Sequence, residues 1–132
     1  MQLPGKTILM RIIIHRGSHE IGGSCVEIMA RDTRIIHDVG MPLVKKNGVR
    51  FQIEEYADLD GPELVKAGVL PGSKGFYEWD AANKAVDAFF LSHAHLDQYG
   101  FLKFKKKAIP CYMGESRLIQ DRIGAGQSYT KV

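Results

Sequence analysis

Residues 86–91 form an apolar run, Val86, Ala88, Phe89, Phe90 and Leu91 interrupted only by Asp87, that passes without a linker into Ser92, His93, Ala94, His95, Leu96, Asp97 and Gln98. A short, nearly continuous apolar run is the pattern of a strand covered on both faces, which places it inside a layered fold. Gly100 and the polar residues before it mark the next stretch as a loop entering a helix. In extended backbone, residues two apart point the same way. His93 and His95 can therefore offer imidazoles to one ion while Asp97, at the turn, adds an oxygen. Imidazole nitrogen with carboxylate oxygen suits Zn²⁺, with Mn²⁺ or Fe²⁺ as alternatives. The bland alternative is a polar strand end whose histidines only cap the next helix.

Patterning elsewhere predicts strands near 7–15, 24–30, 34–38, 86–92 and 109–113, and helices near 62–67, 97–104 and 114–123. Strands come first and strand–helix alternation follows, an α/β or α+β layer pattern. Between Gly40 and Asn83 the chain is rich in glycine and proline, so this segment is expected to be mostly irregular. Its Phe76, Tyr77 and Trp79 either face a substrate or cover a sheet edge. At 132 residues, with no internal repeat or linker composition, the chain suits one domain with a modest core.

His93, His95 and Asp97 resemble the first three places of the His-x-His-x-Asp-His signature of the metallo-β-lactamase fold, with Gln98 standing in the fourth. The resemblance extends to Arg34 through Gly40, similar to a strand whose closing aspartate, here Asp38, orients the metal-binding loop. It also covers the Gly-rich stretch Arg16 to Ile28, similar to the opening of the ribonuclease J-like and β-CASP branch, and Pro110 to Glu115. In all it runs from about residue 12 to 125, with its specificity concentrated at 91–100. It implies the first half of an αββα sandwich, with one mixed sheet and flanking helices, over residues 1–132. It further implies that His93 and His95 serve one metal site and Asp97 a second, where Asp97 would also be catalytic. Gln98 would be a weak ligand, because an amide oxygen is a poorer donor than imidazole. Asp38 would act behind the ligands, fixing ring orientation.

The later ligands of that family have no counterpart. No histidine follows His95, and Asp121 is the single late aspartate in a candidate position. The expectation is a fragment, a truncated product or a degenerate half-domain, and the unmarked close over residues 126–132 suggests a premature end. By resemblance the function is metal-dependent hydrolysis of phosphodiester bonds in RNA or DNA, with one or two Zn ions, complete only when the second half is supplied. The alternative is a non-catalytic binding or assembly protein derived from the fold. Half a sandwich leaves an apolar sheet surface, so self-association or a complementing chain is expected.

Composition sets broad bounds. An apolar content of 45% and a charged content of 25% are ordinary for a globular domain, and a net charge of +3 favours anionic partners only weakly. Lys103, Lys105, Lys106 and Lys107 either line a phosphate path or form a solvated face, while Phe101 and Phe104 are expected to anchor that segment to the core. Cys25 and Cys111 have no CxxC spacing and suit buried thiols in a reducing compartment. Arg11 splits the apolar N-terminal run, which argues for a first strand and against a signal core. No apolar stretch approaches the roughly 20 residues that span a bilayer, and a cytoplasmic location is expected by default. Gly5, Lys6 and Thr7 imitate the end of a P-loop but lack its upstream glycine and strand. His15, His19 and His37 are expected to be structural, with His19 and Glu20 the likeliest exception, and Glu54 and Glu55 to be solvated charge.

Overall fold

The computed structural model describes residues 5, 7–19, 22–81, 85–92, 101–114, 130 and 131. Strands β1 (Met10–Arg16), β2 (Cys25–Ala30), β3 (Thr33–His37), β4 (Ala88–Leu91), β5 (Cys111–Met113) and β6 (Thr130–Lys131) form one sheet in sequential order. The first three strands are antiparallel neighbours, and β3 through β6 run parallel. The mixed sheet is therefore as expected. The first strand begins at Met10, later than anticipated, and the fifth is shorter.

Local chemistry explains the connections. The pair Ala30 and Thr33 closes a two-residue hairpin in which Arg31 takes a left-handed φ of 54°. Helix α1 (Gly61–Lys66) starts at a capping box, Asp60 with Glu63, contains Pro62 in its first turn, and stops where Gly68 adopts φ 75°. The predicted helix over 97–104 is not an α-helix in its described part: Leu102–Phe104 forms a 3₁₀ turn. The predicted helix over 114–123 lies outside the described residues, apart from Gly114.

Alternation divides the sheet into two faces. One face carries Ile36, Phe89, Leu91, Cys111 and Met113 into the core, covered by Val39, Leu64, Leu70, Phe76, Tyr77, Phe101 and Leu102. The long segment from Gly40 is mostly irregular, as its glycines and prolines require, yet among the described residues it supplies Leu64, Val69, Leu70, Phe76 and Tyr77 to that core. Phe76 and Tyr77 are almost fully buried, with Phe76 against Phe89 and Tyr77 stacked on Trp79 at 4.8 Å. They cover the sheet and do not face a substrate.

The second face is apolar, exposed along β1 and half-buried beyond it. Met10, Ile12 and Ile14 on edge strand β1 are 54–60% exposed. They pair with Ala30, Ile28 and Val26, and the same face continues through Ile35 to Phe90 and Tyr112, whose rings stack at 5.0 Å. The fourth strand is therefore buried fully on one face only.

Candidate functional site

Because β1, β3, β4 and β5 all run the same way, their C-terminal ends meet at one end of the sheet. That end of an open sheet is where ligands are usually held, since loops leave it together. Asp38 sits there, at the first position past β3, 4% exposed and with φ 60°. A left-handed non-glycine residue is strained, and aspartate tolerates the conformation better than most. Its backbone N–H donates to the Phe90 carbonyl at 2.9 Å, continuing the β3–β4 ladder by one step. Its carboxylate then accepts from the Ser92 backbone N–H at 2.8 Å and from the Ser92 hydroxyl at 2.7 Å. The backbone leaving β4 is thus clamped at the residue that precedes His93.

His93, His95, Asp97 and Gln98 lie outside the described residues, as do Glu20 and Asp121. Among the described residues no three His, Cys, Asp or Glu side chains group as a metal site. Two histidines outside the motif, His15 and His37, have carboxylate neighbours. His15 Nε2 lies 2.7 Å from Glu27 Oε2, and Glu27 Oε1 accepts from Arg34 Nε at 2.6 Å. Burial alone would raise the Glu27 carboxyl, but the hydrogen bonds from Arg34 and His15 hold it below its ordinary value. Arg34 also donates to the Lys74 carbonyl, tying β3 to the covering segment. His37 is half exposed, with Nδ1 at 3.4 Å from Asp38 Oδ2.

Burial pushes the Cys25 thiol up to about 12 and the Cys111 thiol up to about 11. Both are free and buried, as expected, and their burial disfavours the thiolate form. Lys103 and Lys107 are exposed and Lys106 is half-buried, in line with a solvated face, but Lys105 departs from both readings of the lysine cluster. It is 1% exposed and donates to the carbonyls of Lys106 and Ile109, and burial lowers its ammonium below the ordinary value. It is a structural cation that joins a turn. Lys103 lies over the Phe104 ring, and Phe101 is buried in the core, as predicted for these aromatics. Ser92 went unremarked in the sequence because a serine after a strand is commonplace. Its partner, 54 positions away, is what gives it a role.

No family model matches the chain. Over 95 residues it is 34% identical to an RNase J-like protein of Methanocaldococcus jannaschii, an alignment that spans 70% of this chain and 15% of that relative. In structure it is similar to a crystal structure of a protein of unknown function from Enterococcus faecalis V583, with a TM-score of 0.58 and 24% identity, over 82% of this chain and 26% of that one. The second likeness concerns the fold alone. Both place the chain against a small part of a much longer protein.

Proposed function

We propose that this chain carries the metal-binding segment of a metallo-β-lactamase-fold hydrolase of the ribonuclease J-like branch, acting on phosphodiester bonds of RNA. The observation that carries the reading is the Asp38 clamp on Ser92, which orders the strand exit where the His93, His95 and Asp97 segment begins. Similarity to the archaeal RNase J-like protein supports the same substrate class. Two imidazoles and a carboxylate form a donor set that suits Zn²⁺, with Mn²⁺ or Fe²⁺ as alternatives and Gln98 as a weaker contributor. His93, His95 and Asp97 would hold the ion, whose Lewis acidity would make a bound water available as a nucleophile near neutral pH. Asp38, acting through the backbone, positions the histidines, and Asp97 orients the attacking water. The second sheet of the αββα sandwich would come from a longer or complementing chain.

Elemental mass spectrometry on dialysed protein tests the proposal. Near-stoichiometric Zn, Mn or Fe that disappears in the His93→Ala, His95→Ala double variant is the expected result, and no retained metal would overturn metal binding by this chain. In a longer protein carrying this segment with the second half of the fold, the double variant abolishes RNA cleavage. Unchanged cleavage would sink the assignment. The non-catalytic assembly reading is favoured by one observation, the open apolar sheet face. It requires oligomers of defined size together with absence of metal-dependent cleavage in that longer protein.

A further inference from the structure

Strand β1 stands at the end of the sheet, with β2 on one side and, among the described residues, no strand on the other. Alternate residues of an edge strand turn their N–H and C=O groups away from the sheet, where they meet water or another strand. Edges are usually blunted by lysine, by proline or by being very short. At seven residues, with neither lysine nor proline, β1 has none of these devices. Its irregularity lies between Ile14 and Arg16, so Met10 to Ile14 is a regular stretch. Ile8, Leu9, Met10, Ile12 and Ile14 along this edge are 54–81% exposed.

The regular stretch is also self-complementary. In an antiparallel pair, directly opposite side chains share a face, so two copies of β1 about a two-fold axis normal to the sheet pair even positions with even and odd with odd. Centring the axis on Arg11 sets two guanidinium groups against each other. Centring it on Ile13 sets Met10 against the partner's Arg16 and Arg11 against the partner's His15, which runs the pairing into the irregularity. Centring it on Ile12 uses the whole of Met10 to Ile14. Ile12 then meets the partner's Ile12, Met10 meets the partner's Ile14, and Arg11 meets the partner's Ile13. No like charges oppose each other, and apolar pairs fill the open face.

We propose that a second copy of this chain pairs with β1, antiparallel and centred on Ile12, to make one sheet that runs through both copies. The exposed apolar side chains of the edge present roughly 600 Å² per chain, under the about 800 Å² per partner of a standard interface, and a strand laid alongside covers only part of it. The pair is therefore weak and reversible, with a dissociation constant of about 10–100 µM. Because the edge makes the contact, both faces of the sheet stay available, and the inference stands apart from the hydrolase reading.

Sedimentation velocity on the full chain tests the pairing through a charge swap at Ile12, which is exposed in the single chain and so tolerates substitution. The parent is expected to pass from monomer to dimer between about 1 and about 300 µM and to stop there. Ile12→Lys and Ile12→Glu each set like charges across the axis and are expected to weaken the dimer about ten-fold. An equimolar mixture of the two brings lysine against glutamate and is expected to restore it. Ile12→Cys should oxidise to a linked dimer, because a disulfide needs Cα atoms within about 7 Å, whereas Val49→Cys, at another exposed apolar position, should not. Two sheets stacked face to face stand about 10 Å apart, so that alternative gives no linked Ile12→Cys dimer. A parent that stays monomeric, or that grows into open assemblies, would overturn the proposal. So would a mixture no more associated than either charged variant, or Ile12→Cys that links no faster than Val49→Cys.

Discussion

Replacing Asp38 tests the clamp at the end of β3. Asp38→Ala removes two hydrogen bonds to Ser92 and leaves alanine at φ 60°. Hydrogen bonds to a charged group contribute about 1.5–3 kcal/mol each. Ser92 is exposed, so water replaces part of both, and about 2 kcal/mol for the pair is the discounted figure. Holding alanine in the left-handed region adds about 1 kcal/mol. The expected loss is therefore about 3 kcal/mol, against about 1 kcal/mol for Ser92→Ala, which removes the hydroxyl bond alone. Asp38→Asn keeps the tolerated conformation and falls between them. Urea unfolding followed by the fluorescence of Trp79, the single tryptophan, gives these differences. Hydrogen exchange at the Ser92 amide gives the local one, because that N–H loses its acceptor. If Asp38→Ala leaves both the midpoint and the Ser92 exchange rate unchanged, the clamp contributes nothing and the argument for an ordered strand exit fails.

Three further outcomes follow from the packing. Glu27→Gln strips a buried carboxylate from Arg34 and His15 and is expected to cost about 3 kcal/mol by thermal or urea unfolding; a loss under about 0.5 kcal/mol would contradict the buried network. Because the folded Glu27 carboxyl lies below its ordinary 4.5, its contribution is complete above that pH and is lost as pH falls towards the lower folded value. The parent should therefore weaken more steeply in acid than Glu27→Gln. Gly61→Ala would bring a Cβ to 2.1 Å from the Trp79 ring, which Tyr77 and Phe104 hold in place. A loss of about 1–3 kcal/mol with a shifted Trp79 emission is expected despite alanine's better helix propensity, and an unshifted, more stable variant would refute it. Sedimentation velocity should show associated species for the parent and fewer for Ile12→Lys with Ile14→Lys, whereas one compact monomeric parent species would contradict an adhesive sheet face.

What was legible in the sequence follows from range. The strands at Met10–Arg16, Cys25–Ala30 and Ala88–Leu91 announce themselves because apolar and β-branched residues sit at neighbouring positions. Asp38 was legible only through its place at the end of a strand in a resembling family. Its partner Ser92 is far along the chain, and no local pattern links them. Lys105 was misread for the same reason: four lysines within five positions look solvated, and only the carbonyls of Lys106 and Ile109 folding back over one of them turn it inward.

The clamp and the end of β1 are joined through backbone. Arg16 closes β1, and its Cδ lies 3.0 Å from where a Cβ on Gly23 would stand. The same Cβ would stand 2.9 Å from the Pro42 nitrogen, and Gly23 holds φ 68°, so only glycine lets the Pro42 segment seat against the start of β2. Gly22 bridges Pro42, and Gly40 N–H donates to the Ser24 carbonyl at 3.2 Å. Two residues before Gly40 is Asp38, and Asp38 holds Ser92. A line of close approaches therefore runs from the end of β1 to the residue preceding His93. Parallel β1 and β3 are not neighbours, and β2 lies between them. The Gly22–Ser24 turn closes that gap, and so it fixes the end of β1 relative to the strand exit where the histidine segment starts.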